Sequence, residues 1–149
     1  MLQPKVVLAP IDFSDPSLAA VDDAAAVASR FGATLVLVHV VPMLPRLPAG
    51  VSVFHERDYE ERLHRDAVHR MEELSAKYAD GGISVKSEVG VANDVAMELC
   101  RIADHHQADL IVIATHGITG WNKLVFGSVA EKVVRLAQAA VLLLRAPRG

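Results

Sequence analysis

Short, nearly unbroken apolar runs alternate along this chain with longer stretches whose apolar residues recur at helical spacing, and that rhythm restricts the possible folds more than any other feature. The runs are Val6 to Ala9, Thr34 to Val41, Ile83 to Val89, Leu110 to Ala114 and Ala140 to Leu144. Four of these five are apolar at almost every position, which suits strands covered on both faces.

Between them the helical stretches carry their own punctuation. The first helix is expected to start at Asp15-Pro16, with Asp15 as N-cap and Pro16 in the first turn, and to end at Gly32. The second places Leu63, Ala67, Met71, Leu74 and Tyr78 on one stripe and Glu61, Arg65, Glu72 and Lys77 toward water, and stops at Gly81-Gly82. A third runs from about Asn93 to His106 with Val95, Leu99, Ile102 and Ala103 inward, and a fourth starts at Ser128. Strands joined by helices in this way form parallel neighbours through right-handed crossovers. Five strands and four helices are too few for a closed barrel, so the expectation is an α/β fold with an open parallel sheet and helices on both faces.

The 149 residues fit one domain, and a hydrophobic share of 52% is enough to build its core. A net charge of -3 with interleaved signs gives no broad basic surface for a phosphate backbone, so nucleic acid is not an expected partner. No apolar run reaches the roughly 18 to 20 residues needed to cross a bilayer, and the N-terminal residues lack a secretory pattern. Cys100 is the only cysteine, which rules out a disulfide within the chain and fits a reducing, cytoplasmic setting.

The segment from Pro42 to about His55 carries three prolines, no periodicity and an unusual apolar content for a loop. A cover over a site and a partner surface fit it equally.

The stretch richest in chemistry follows the fourth strand and runs from Ala114 through Gly117 and Gly120 to Gly127-Ser128. Glycines let backbone amides approach an anion closely, and the helix start adds unpaired N–H groups and a favourable dipole. A structural explanation competes at Ser128, because Ser128-Val129-Ala130-Glu131 has the form of a capping box. Asp12 stands in the same position: it reads as a turn carboxylate or as a ligand contact.

The spacing of Gly117, nine residues, Gly127 and Ser128 resembles the nucleotide-binding signature of the universal stress protein family, with Ala114 where that signature has its first glycine. The resemblance extends to Val7-Leu8-Ala9-Pro10-Ile11-Asp12-Phe13-Ser14, to Leu37-Val38-His39-Val40, to Gly90 and to Val141-Leu142-Leu143-Leu144, and so covers nearly the whole chain. It implies a Rossmann-like fold of the adenine nucleotide alpha hydrolase type, with strand order 3-2-1-4-5 and a switch point between strands 1 and 4. It also implies roles for individual residues. Asp12 would lie beside the ribose and phosphates, Val40 would meet adenine through its backbone, and Pro10 and Ile11 would line the adenosine pocket. Gly117 would approach the ribose and phosphate region, and Gly127, Ser128 and Val129 would grip phosphate oxygens. Ile113 and Ala114, at the end of the fourth strand, complete the candidate set.

On this resemblance the chain is an adenine-nucleotide-binding regulatory module that takes ATP or AMP, with accompanying magnesium or manganese left open. Pairing of two last strands would make it a homodimer. The alternative is a stress protein that binds no nucleotide and acts through dimer and partner surfaces. No nucleophile and base are paired in the sequence, and no Walker-type lysine is present, so at most slow ATP hydrolysis is expected. The seven histidines form no metal motif; His64 and His69 are spaced awkwardly for one helical face. His116 is read as shaping its loop, Trp121 as packing locally and Cys100 as core.

Overall fold

A computed structural model describes residues 1–43, 53–115 and 127–145, with the backbone alone described over 53–56. The element order is β1 (Val6–Pro10), α1 (Asp15–Phe31), β2 (Thr34–Pro42), α2 (Val53–Asp80), β3 (Val85–Ala92), α3 (Val95–His105), β4 (Leu110–Thr115), α4 (Ser128–Leu136) and β5 (Ala140–Arg145). The five strands form one sheet in the order β3-β2-β1-β4-β5, and every neighbouring pair is parallel.

Alternation of side chains along each strand divides the core into two layers. Val7 and Ala9 of β1, Leu35 and Leu37 of β2, and Leu110 and Val112 of β4 pack on one face, against Val21, Ala24 and Ala28 of α1 and Met71 and Tyr78 of α2. Leu8, Val36, Val38, Ile111 and Ile113 point to the other face, against Ala96, Leu99 and Ile102 of α3 and Ala130 and Val133 of α4. The three central strands are therefore apolar on both sides, as their sequences require. On the first face, α1 and α2 are joined by Tyr78, whose hydroxyl donates to Asp22 at 2.7 Å; burial, then that carboxylate, pushes the phenol's pKa up.

Several element ends differ from the sequence expectation. The N-cap of α1 is Ser14, one residue before Asp15, because the Ser14 hydroxyl oxygen accepts from the Ser17 amide at 3.4 Å. Gly32 does close that helix in the left-handed region at φ 66°, with its N–H turned back to Ala28 and Ser29. Strand β3 starts two residues later than Ile83, whose N–H is still turned back to the Tyr78 carbonyl at 3.3 Å. It continues past Val89 to Ala92 because Val40, Val41 and Pro42 of β2 supply partners that far. Helix α2 reaches back to Val53, so part of the segment read as a loop is helical; residues 44–52 lie outside the described residues.

Candidate functional site

Strands β1 and β4 are in register only at Val7 with Leu110 and Leu8 with Ile111. Beyond that point β1 turns away at Pro10, which has no N–H to donate, and β4 runs on to Thr115 paired with β5 alone. Helices leave the two strands on opposite faces of the sheet, so the splayed carboxyl ends open a crevice at the switch point.

A cavity of about 260 Å³ occupies this crevice, close to the lower end of the roughly 300 to 1,000 Å³ common in small-molecule pockets. Pro10, Ile11 and Asp12 form one wall, Val40 the next, Ile113 and Ala114 the third, and Gly127, Ser128 and Val129 the last. Gly117, Gly120, His116 and Trp121 lie outside the described residues. Every other candidate position named from the sequence thus borders one space, although they come from four separate segments.

Four further residues border it: Ser17, Val95, Leu99 and Ala130. Nothing marked them in advance, because Val95 and Leu99 read as the buried stripe of α3, and Ala130 only as an intervening residue of the capping-box pattern. Ser17 is buried and bonds within its own turn, its hydroxyl donating to the Ser14 carbonyl at 3.0 Å. The cavity is apolar along β2, α3 and β4, and polar at Asp12 and at the α4 end.

The α4 end departs from the capping-box expectation. The N-cap is Gly127, which has no side chain to cap with, Ser128 is already the first helical residue, and no side-chain cap occurs among the described residues. The Gly127 carbonyl accepts the first helical hydrogen bond, from the Glu131 amide at 3.0 Å. A serine at this position cannot fold back over the third amide as an N-cap serine does. The first turn of α4 therefore borders the cavity without a side-chain cap among the described residues, and its dipole favours an anion there. Ala114 lies within β4 opposite Leu144, and positive φ occurs elsewhere among the described non-glycine residues, so alanine's backbone limits cost nothing here.

Asp12 takes the turn role anticipated for it and stands at the cavity. Its Oδ1 accepts from the Ser14 amide at 2.9 Å and from the Ser14 hydroxyl, while the residue also borders the cavity. Among the described residues, no group of three or more His, Cys, Asp or Glu side chains is placed to hold a metal ion. Cys100 is buried against α3's packing face, and burial pushes its thiol pKa up, which keeps it in the unreactive protonated form.

Beside the cavity, Lys132 of α4 pairs with Asp94, the N-cap of α3, which also accepts from the Met97 amide at 3.1 Å. The Lys132 ammonium, then that amide, hold the Asp94 carboxyl below its usual range. A carboxyl lowered on folding adds stability above its unfolded pKa, and that contribution is lost as pH falls through the folded value. Asp94→Asn keeps an N-cap acceptor but removes the charge. Its melting temperature is expected to fall less steeply than the wild type's between about pH 5 and pH 3, as followed by circular dichroism.

The fold and this cleft define a doubly wound α/β protein with an open crevice at the switch point of its sheet. The chain belongs to the universal stress protein family, whose model matches residues 4–145. The universal stress protein MJ0531 of Methanocaldococcus jannaschii is 31% identical over 146 residues, covering 97% of this chain and 84% of that one. The solved structure of the M. jannaschii protein MJ0577 has a TM-score of 0.81 at 25% identity, over 99% of this chain and 100% of that chain. A universal stress protein from Archaeoglobus fulgidus, solved in complex with dAMP, shares the fold with a TM-score of 0.65 at 22% identity, over 96% and 98% of the two chains.

No helix among the described residues is long and apolar enough to cross a membrane.

Proposed function

We propose that this protein is a regulatory module that binds an adenine nucleotide, ATP or AMP, in the crevice between β1 and β4. The observation that carries the reading is the α4 N-terminus, uncapped by any described side chain, set against an apolar pocket in the same cavity. The dipole and the amides of a helix start suit a phosphate, and Val40, Leu99 and Ile113 suit a planar base. Asp12 stands where a carboxylate can accept from ribose hydroxyls, and among the described residues it is the carboxylate lining this cavity to which magnesium or manganese beside the phosphates could turn. That a relative with this fold was captured with dAMP supports an adenine monophosphate as a ligand class to test.

Recognition, not turnover, is the chemistry that these residues suit. An adenine nucleotide at 100 times its dissociation constant stabilises the folded state by about 2.7 kcal/mol. Thermal unfolding of the wild type is expected to shift upward with AMP and ATP, with saturable heat by calorimetry. A flat response to both at millimolar concentration would overturn the reading and favour action through surfaces alone.

The same proposal includes a homodimer. Strand β5 pairs with β4 on one side, and Leu142 is 40% exposed along it, an edge suited to a second copy of the strand. Sedimentation at micromolar concentration would read two chains if this holds and one if it does not. The absence of a basic stripe and the reducing setting inferred from Cys100 support a cytoplasmic protein.

A further inference from the structure

The wall of the crevice that carries Asp12 is held by residues behind it. Phe13 adopts φ 63°, in the left-handed region, where a bulky L-residue is strained. Such a conformation persists only when its surroundings over-determine it. Here the surroundings are specific. The Phe13 ring contacts the His39 ring with centroids 4.8 Å apart and planes tilted 48°. The Arg70 guanidinium, brought by α2, lies 3.8 Å from the Phe13 centroid. His39 Nδ1 lies 2.6 Å from the Ile11 carbonyl oxygen, and the Ile11 N–H donates to the Val38 carbonyl at 2.7 Å.

A carbonyl oxygen can only accept, so His39 must carry its proton on Nδ1. The turn from Ile11 to Phe13 is thereby fixed at both sides of Asp12: its entry by the Ile11 bonds to β2, its exit by a ring in contact with a histidine and an arginine. Neither Phe13 nor His39 borders the cavity, whereas Ile11, Asp12 and Val40 do.

We infer that His39 is a positioning residue: its Nδ1–H, bonded to the Ile11 carbonyl, and its ring, packed on Phe13, hold the left-handed Phe13 turn that keeps Asp12 on the crevice wall. The ligand consequence rests on the nucleotide reading above; the conformational claim does not. Without this support Phe13 relaxes to negative φ, the chain direction after Asp12 changes, and its carboxylate leaves the wall. Arg70 links the same turn to α2, so motion of that helix reaches the site through Phe13.

The test has a ligand-free part and a ligand part. Long-range nitrogen-proton NMR on the wild type is expected to show His39 protonated on Nδ1; a neutral ring protonated on Nε2 alone would overturn the inference without any variant. In His39→Leu, the Phe13 backbone coupling constants are expected to lose the positive-φ signature and AMP affinity to fall about 10-fold. His39→Asn, which offers an amide donor near the Nδ1 position, is expected to keep positive φ and stay within about 3-fold of wild type. Unchanged φ and affinity in His39→Leu would contradict the assignment. If the wild type itself takes no AMP, the nucleotide reading fails, and the tautomer and coupling constants still decide the role of His39.

Discussion

Ser128→Asp is expected to weaken AMP and ATP binding by about 30-fold or more while leaving the melting temperature level or slightly raised. Ser128 is exposed and is the first residue of α4, so the new side chain displaces no core. A carboxylate in a first helical turn interacts well with the dipole, worth about 0.3–1 kcal/mol. For a phosphate the same carboxylate is a like charge: two unit charges at about 4 Å repel by about 4 kcal/mol at an effective dielectric of 20, less where water screens them. A loss of roughly 2 kcal/mol corresponds to about 30-fold. Calorimetry paired with thermal unfolding separates this result from ordinary damage, which lowers both quantities. Wild-type affinity in the variant would mean that the α4 terminus is not where the anion goes.

Leu8→Ala is expected to be the most costly kind of truncation, about 2–5 kcal/mol, lowering the melting temperature by roughly 5 to 20 °C. Leu8 is fully buried on the central strand, under α3 and α4, and its loss leaves a cavity that the flanking strands cannot collapse to fill. Met97→Ala provides the contrast, since Met97 is 58% exposed on α3, away from the β5 edge. Chemical denaturation of both variants checks the pair. Equal, small effects would contradict a sheet covered on both faces.

The strands were legible because burial on two faces leaves little freedom in composition: Val7-Leu8-Ala9 and Leu110 to Ile113 have no polar position, and both proved central. Helix faces were legible for the same reason, with Met71 and Tyr78 buried and Lys77 exposed as the spacing required. Element ends were less so, because they depend on single hydrogen bonds. Ser14 and Asp15 are both good N-caps by type, and only the reach of the Ser14 hydroxyl to Ser17 decides between them. At Ser128 the same ambiguity mattered more, since a capping box and a bare helix start share one sequence pattern and differ in which residue is the N-cap.

The crevice was only half visible from sequence. Asp12 and Gly127 sit in turn-like contexts that invite attention, whereas Val95 and Leu99 line the cavity with residues whose pattern matches ordinary helix core. Phe13 gave no warning of its positive φ, because Asp12-Phe13-Ser14 contains neither glycine nor asparagine. That conformation depends on His39 and Arg70, which are remote in the chain and meet it only in the folded protein.

All of the functional reading turns on whether the opening amides of α4 receive a phosphate. Two-dimensional nitrogen-proton NMR, with AMP and adenosine titrated in parallel into the wild type, reads those groups directly. The account predicts that the Ser128, Val129 and Ala130 amides move strongly with AMP and weakly with adenosine, while Val40 responds to both. Amides of α4 that stay in place at saturating AMP, or move equally with adenosine, would contradict it.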